Sequence, residues 1–386
     1  MTFRYIRQSE QRRWMCQHSA ILSLLLHPNE IYQELHNTHK GVSSKTMAPT
    51  TMQAVVLESI GPAATSLVLH PQYPVPQPQS GQVLIRVRAI GLNHSELMVR
   101  LGEPNPMGAI PLPRVLGIEC VGTIASPGSQ NELREGTVVM AALGGMGMRF
   151  DGSYAEYCVA SEENVIPIAK SEAEVRLPWE LLGALPEMLQ TAHGCLFRAL
   201  KVQKEERVLI RGGTSGVGKM AMALAKRAGC KVLVTTREPT REAMLKEAGA
   251  DHVVVDRQGK IKDAVLEIHA DGVDKVLELV GAATVIDSLQ CLAPGGVCCS
   301  AGTLGGKWAV DHFLPSFQIP LGRYLTGYAV TTFKKENAAW DEVLGMFEKG
   351  ELKVEMGKVY HGLEKVIEAH EVMEKDKAGG KIVVLL

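Results

Sequence analysis

The segment RVLIRGGTSGVGKMAMALAKRAG, Arg207 to Gly229, constrains the fold of this chain more than any other. An apolar run of β type enters a turn carrying Gly212, Gly213, Gly216 and Gly218, and the turn opens a helix that stops at Gly229. Further units of the same kind follow: KVLVTT then PTREAMLKEAG, HVVVD then IKDAVLEIHA, DKVLELV then ATVIDSLQCLAPGG, and finally VCCSAG. Strict alternation of strands and helices of this length predicts an α/β fold with a parallel, doubly wound sheet.

The region before it has a different texture. From Gln53 to about Lys170, short β-type runs (QAVVLES, QVLIRVRAI, GTVVMAAL, YAEYCVA) are separated by Pro- and Gly-rich turns such as PQYPVPQPQSG, as in a small barrel or sandwich. Leu352 onward returns to mixed segments and ends in GGKIVVLL, a strand that could go back to the first domain. With 386 residues, two domains are the expectation. A net charge of −1 gives no basic excess for nucleic acid or an anionic membrane, which leaves a small molecule as partner. Eight cysteines without a CxxC pair read as reduced and mostly buried. The apolar run Ala20 to Leu26 falls far short of the roughly 20 residues needed to cross a bilayer.

Residues 1–46 stand apart, with Arg4, Arg7, Arg12 and Arg13 early and no strand or helix period. Two readings compete: a disordered extension upstream of MAPTTMQAVVLES, which composition favours, and an organelle-targeting segment, against which Glu10, Glu30 and Glu34 count. The corresponding expectation is a cytoplasmic protein, or a mitochondrial one if this segment is a transit peptide.

A dinucleotide pyrophosphate needs bare backbone N–H groups at a helix N-terminus, and glycine lets the chain approach it closely. Gly213, Thr214, Ser215, Gly216, Val217 and Gly218 supply that turn between a strand and a helix, which raises a weak glycine signal to a strong one. A domain preferring NAD places Asp or Glu about 20 residues later. Here the second strand ends in Thr235, Thr236 and Arg237, with Arg241 one turn on. Charge-assisted hydrogen bonds contribute roughly 1.5–3 kcal/mol each, so one well-placed arginine could favour NADPH by tenfold or more. The bland alternative is two solvated arginines neutralised by Glu238.

Joined to GLNHSELMVRLG, PRVLGIECVGTIASPG, DGSYAEYCV, LPEMLQTAHG, VDKVLELVG and PGGVCCSAGTLGG, the glycine turn makes the chain resemble the medium-chain dehydrogenase/reductase superfamily from about Met52 to Leu386. It looks closest to the zinc-independent quinone oxidoreductase branch, related to lens ζ-crystallin. The resemblance implies a GroES-like β-barrel catalytic domain from residues 47–175 and 326–386, a Rossmann NADPH-binding domain at 176–325, and a homodimer.

Zinc alcohol dehydrogenases of the superfamily carry a Cys, a His in GHE and a second Cys. This chain has Asn93, Ile118 in GIE, and Glu187 near the third position, and neither Asn nor Ile supplies the thiolate or imidazole that zinc takes. A four-cysteine structural lobe is missing too, since only Cys120 and Cys158 lie in that region. No metal is expected, and His94 and Glu96 read as polar wall residues or local hydrogen bonders.

Without a Lewis acid, quinones and α,β-unsaturated carbonyls are the acceptors that suffer least, because conjugation spreads the charge that develops as hydride arrives. The branch pattern N-x-x-D-x-Y-x-R-x-G is met by Asn93, Glu96, Arg100 and Gly102, with Met98 in place of Tyr. Asn93 is the candidate orienter or donor beside the nicotinamide, with a turn residue bonding its own backbone as the alternative, and His94 is a lower-ranked donor. Thr191 in QTAHG resembles the family's cofactor-contacting Thr. Val280, Gly281, Gly302 and Thr303 end later strands where doubly wound sheets hold ligands. The rival readings are an enoyl-thioester reductase and a non-catalytic NADPH-binding protein.

Overall fold

A computed structural model describes residues 49–103, 108–129, 133–329, 331, 333–375 and 377–386. The expectations for residues 1–46 lie outside the described residues.

The described chain first runs through β1 (Thr51–Leu57), β2 (Leu67–Pro74), β3 (Gln82–Leu92), β4 (Arg114–Val115), β5 (Glu119–Ser126), β6 (Val138–Ala142), β7 (Tyr157–Ser161) and β8 (Val165–Ala169). Then come β9 (Arg207–Arg211), β10 (Lys231–Thr236), β11 (His252–Val255), β12 (Val273–Glu278), β13 (Leu292–Ser300) and β14 (Tyr324–Gly327), and last β15 (Val359–His361) and β16 (Ile382–Leu385).

β9 to β14 form one sheet in the order β11-β10-β9-β12-β13-β14, every neighbouring pair parallel. Their cores, such as VLI in β9 and VLV in β10, are continuous apolar runs buried on both faces, as a sheet covered by helices on both sides requires. The order reverses between β9 and β12, so a crevice opens at the carboxyl ends of the strands there. The other strands form a largely antiparallel set: β1 lies between β2 and β4, and a second sheet runs β15-β16-β3-β5-β6-β8 with β7 also on β3. β16 pairs antiparallel with β3, Ile382 opposite Leu92, so the strand legible in GGKIVVLL does return to the first part of the chain. This is the α/β architecture expected, a GroES-like β domain with a Rossmann-type parallel sheet.

The helix Trp179–His193 joins the two sheets by packing on β3, β5 and β16 on one side and on the helix Gly216–Arg227 on the other. One apolar cluster holds Ala89, Val121 and Val383 together with Leu185, Met188, Met220 and Ile210. Polar ties cross the same seam. Lys219, on the helix after the glycine turn, is buried and donates to Gly379 O at 2.7 Å and to Glu355 at 2.6 Å. Among the described residues no helix is long and apolar enough to cross a membrane.

Arg211, the last residue of β9, sits fully buried beneath the crevice. It holds Asp256 after β11 and Asp287 on the helix Val285–Gln290, each at 2.8 Å, and donates to Ser288 Oγ at 3.1 Å. Removing one partner of such a cluster strands buried charge. Arg211→Met is therefore expected to lower unfolding free energy by about 3–5 kcal/mol, read as a drop in the urea midpoint at unchanged m. A midpoint within error of the wild type would show that the cluster contributes nothing.

Candidate functional site

The crevice is a cleft of about 910 Å³, at the upper end of the roughly 300–1,000 Å³ typical of ligand clefts. One wall is made by residues just past the parallel strands: Gly212 after β9, Thr236 and Arg237 at β10, Asp256 and Arg257 after β11, Val280 after β12, and Gly302 and Thr303 after β13. The glycine turn is held in shape from within. Gly212 N–H donates to Thr235 Oγ1 at 3.0 Å, and Ser215 caps the next helix by accepting from Gly218 N–H at 3.0 Å. A Cβ on Gly218 would lie 2.3 Å from Gly212 O, so only glycine permits this closure. With Gly218 taken by the cap, Gly216 and Val217, the first two residues of the helix, line the cleft at the positive end of a 12-residue helix. These residues fit a dinucleotide pyrophosphate.

The opposite wall is built from distant parts of the chain. Lys381, just before β16, is nearly buried and donates from Nζ to Asn93 Oδ1 and Glu119 Oε1, both at 2.5 Å. Glu119, fully buried at the start of β5, also accepts from Asn93 Nδ2 at 2.8 Å and, on Oε2, from the Glu187 amide at 2.8 Å. Glu187 follows Pro186 inside the helix Trp179–His193; the proline lacks the N–H of one helical bond, and the next amide donates to another element. Thr191, one helical turn further and on the same face, donates to Glu187 Oε1 at 2.7 Å. Burial raises the Glu187 carboxyl above its ordinary range, and Glu119 adds to the rise against the opposing pull of Lys381 and Thr191.

Behind this wall lies a second polar layer. Asn93 is the N-cap of the helix His94–Leu101, and Glu96 in its first turn reaches back to the Asn93 amide and accepts from Ile118 N–H at 2.8 Å. Tyr154, close to Glu96, meets His370 Nε2 at 3.0 Å. Arg100, fully buried, ties the same helix to Gly61 O and, at 2.5 Å, to Glu374 on the helix Lys365–Glu374.

Of the residues singled out from sequence, Asn93, His94, Thr191, Thr214, Ser215, Gly216, Val217, Thr236, Arg237, Val280, Gly302 and Thr303 all line this cleft. Gly213, Gly218, Gly281 and Arg241 do not. Gly218 and Gly281 shape the turns behind it; Gly281 has φ +94° and would put a Cβ 2.3 Å from Gly302 O. Arg241 ends the short 3-10 turn Pro239–Arg241 beyond β10. The Asn93 amide is spent on Glu119 and Lys381, so it positions its neighbours more than it offers a donor. Met98, in the place of the branch's Tyr, is buried and accepts from Thr303 Oγ1 at 3.4 Å, which ties the two walls together. Sequence reasoning missed Lys381 and Arg257. Lys381 is 262 residues from Glu119, and its only signal was the returning strand that follows it.

Two family models match the chain: the alcohol dehydrogenase GroES-like domain over residues 79–170 and zinc-binding dehydrogenase over residues 216–349. Mouse prostaglandin reductase-3 is 28% identical over 354 residues, covering 88% of this chain and 90% of that protein. Mouse quinone oxidoreductase is 28% identical over 345 residues, covering 87% and 98%. A mycobacterial structure complexed with NADPH superposes with a TM-score of 0.75 at 26% identity, covering 87% of this chain and all of that one. The chain belongs to the medium-chain dehydrogenase/reductase superfamily. Within it, this member sits with the zinc-independent, quinone oxidoreductase-like branch. Zinc-dependent superfamily members need thiolate and imidazole donors where this chain presents the Asn93 amide, the apolar Ile118 and Glu187, and here the Lys381 ammonium already bridges Asn93 and Glu119. Those residues do not fit a metal ion, and among the described residues no group of three or more His, Cys, Asp or Glu could hold one.

The second layer sets a pH dependence. Burial pushes the Glu96 carboxyl from its ordinary 4.5 up to about 8, although the Ile118 amide, Lys381 and the Asn93 amide pull the other way. The folded chain then binds a proton that the unfolded chain has released, so this group's contribution to stability is lost as pH rises from 4.5 toward 8. His370, held down to about 3 by burial and Arg100, acts in the opposite sense, but only until pH passes its unfolded value of 6.5. Glu96→Gln is therefore expected to flatten the fall of melting temperature between pH 6.5 and 8, whatever its offset at the lower pH. A fall as steep as that of the wild type would contradict the protonated carboxyl.

Proposed function

We propose that this chain is a zinc-independent, NADPH-dependent oxidoreductase that reduces a quinone or the β-carbon of an α,β-unsaturated carbonyl. The observation that carries the reading is Lys381 bridging Asn93 and Glu119 on the wall facing the glycine turn, which leaves hydrogen-bonding side chains and no metal donor set at the reacting end. A bound reduced nicotinamide supplies hydride at that end. The chain's own part is to seat the pyrophosphate on the Gly216 and Val217 amides, to wall the nicotinamide with Thr191 and Met188, and to offer donors to an oxygen that gains charge. His94, at the head of its helix and lining the same end, is the remaining candidate donor. Conjugated acceptors suit this equipment, since they spread charge that a metal would otherwise stabilise. The names of the mouse relatives, a quinone oxidoreductase and a prostaglandin reductase, agree with it.

The preference for NADPH rests on cations at the far end of the cleft. Arg237 after β10 and Arg257 after β11 both line it beside Thr236, where an extra phosphate on the adenosine ribose would lie; Arg241 stands one short turn behind. Arg237→Ala combined with Arg257→Ala is expected to weaken NADPH binding tenfold or more and to leave NADH nearly unchanged, read by quenching of nicotinamide fluorescence; equal losses for both cofactors would remove the phosphate assignment. A steady-state panel of quinones, enones and acyl thioesters under NADPH tests the acceptor. Fast turnover of thioesters alone would replace the reading with an enoyl-thioester reductase, and binding of NADPH without any turnover would replace it with a non-catalytic protein.

The expected homodimer has a surface to use. β14 is the edge strand of the parallel sheet, and Leu321 (96% exposed), Phe317 (86% exposed) and Tyr324 stand out to solvent beside it. An open edge flanked by apolar side chains pairs readily with a second copy of itself. Leu321→Glu with Phe317→Glu is expected to halve the sedimenting mass; an unchanged mass would place the contact elsewhere or show that none exists.

A further inference from the structure

Glu187 is the one residue of the cleft wall that the metal argument set aside and that the reading above leaves without a task. Its surroundings give it one. Three carboxyls, Glu96, Glu119 and Glu187, lie around the single ammonium of Lys381. That ammonium is placed on Glu119, which also takes the Asn93 amide and the Glu187 N–H. Glu119 has thus gathered three donors, and the second hydrogen bond of Lys381 goes to Asn93, with none to Glu187 among the described residues. Glu187 has one partner, Thr191 Oγ1, which donates to Oε1. Its other oxygen, Oε2, has no hydrogen-bond partner among the described residues, while the residue itself lines the cleft next to Met188 and Thr191. A carboxyl with one oxygen held as an acceptor and the other left without a partner beside a ligand cleft is placed to donate a proton.

We propose that Glu187 is the general acid of this protein: it stands protonated and passes its proton to the acceptor after hydride has arrived. The proposal rests on the reductase reading given above. In the balanced step, the acceptor gains two electrons and one hydrogen with the hydride, and the C=C–C=O π electrons shift onto oxygen as an enolate. The Glu187 O–H bond then breaks toward the α-carbon or the oxygen, leaving a carboxylate, and water entering the open cleft returns the proton. With a quinone the same transfer completes the hydroquinone. Burial keeps the proton on Glu187 above the ordinary carboxylate range, opposed by Lys381 and Thr191 and reinforced by Glu119. The other titratable groups near this end are His94, which lines the cleft beside Asn93, and the buried Cys195, on the segment that continues the same helix and close enough to feel the charge of Glu187.

The test is Glu187→Gln, which keeps the shape and removes the proton. Infrared spectra of wild type and variant without cofactor, in H2O and D2O, should differ by one isotope-sensitive carboxylic-acid C=O band at neutral pH; spectra without that difference overturn the proposal whatever the activity. With an acceptor that the wild type reduces, the variant should bind NADPH as before, lose roughly 10²–10⁴-fold in kcat, and lose the alkaline fall in kcat that the wild type shows as Glu187 ionises. A variant that keeps both the rate and the alkaline limb overturns it too. Thr191→Val provides an independent check: without the hydroxyl that favours the carboxylate, the band should persist to higher pH, and a band that disappears at the wild-type pH counts against the assignment. If the wild type reduces nothing on the panel, the reductase reading fails, while the infrared comparison still decides whether Glu187 holds a proton.

Discussion

The arrangement of this protein turns on one buried cation. Lys381 must be desolvated to reach Asn93 and Glu119, and the cost is met only because both partners are already fixed, Glu119 at the start of a fully paired strand and Asn93 as the cap of a helix. The contact sits where β16 begins its pairing with β3, at one wall of the cleft. In zinc-dependent members of the superfamily a metal supplies positive charge in this region. Here the charge is covalently attached, cannot be exchanged, and is spent on the protein's own carboxylate. What remains at this wall is hydrogen bonding, and the proposed preference for conjugated acceptors rests on that.

Around that contact the two walls of the cleft differ in kind. The Rossmann-type wall is built of backbone: strand ends, a glycine turn and two helix amides, with side chains such as Thr235 and Ser215 used to hold the turn. The other wall is built of side chains that hold one another. Backbone can be shaped by local sequence alone, whereas a side-chain wall needs several strands in register before any of its members has a partner.

This difference explains what could be read in advance. The parallel sheet, its strand sequence and its glycine turn were legible because each depends on residues a few positions apart: the apolar runs, Gly218 closing on Gly212 O, Ser215 capping its own helix. The loss of the zinc ligands at Asn93 and Ile118 was legible too, as a change of side-chain chemistry. The partners of Asn93 were not. Asn93 was expected to be an orienter or a donor, and its amide is shared by residues 26 and 288 positions away, a pairing with no local signature. Met98 was noted as a departure from the branch pattern, but its burial against Thr303, 205 residues on, becomes visible only when both walls stand together.

The distance between Asn93 and Lys381 along the chain also orders events during synthesis. A ribosome making this protein has completed the barrel strands β3 and β5 and the whole parallel sheet before residue 381 appears. Until then Glu119 has only the Asn93 amide and the Glu187 N–H to bond, with Lys381 still to come. The nucleotide-facing half can therefore take shape early, whereas the reacting end is assembled last, by the arrival of a single side chain.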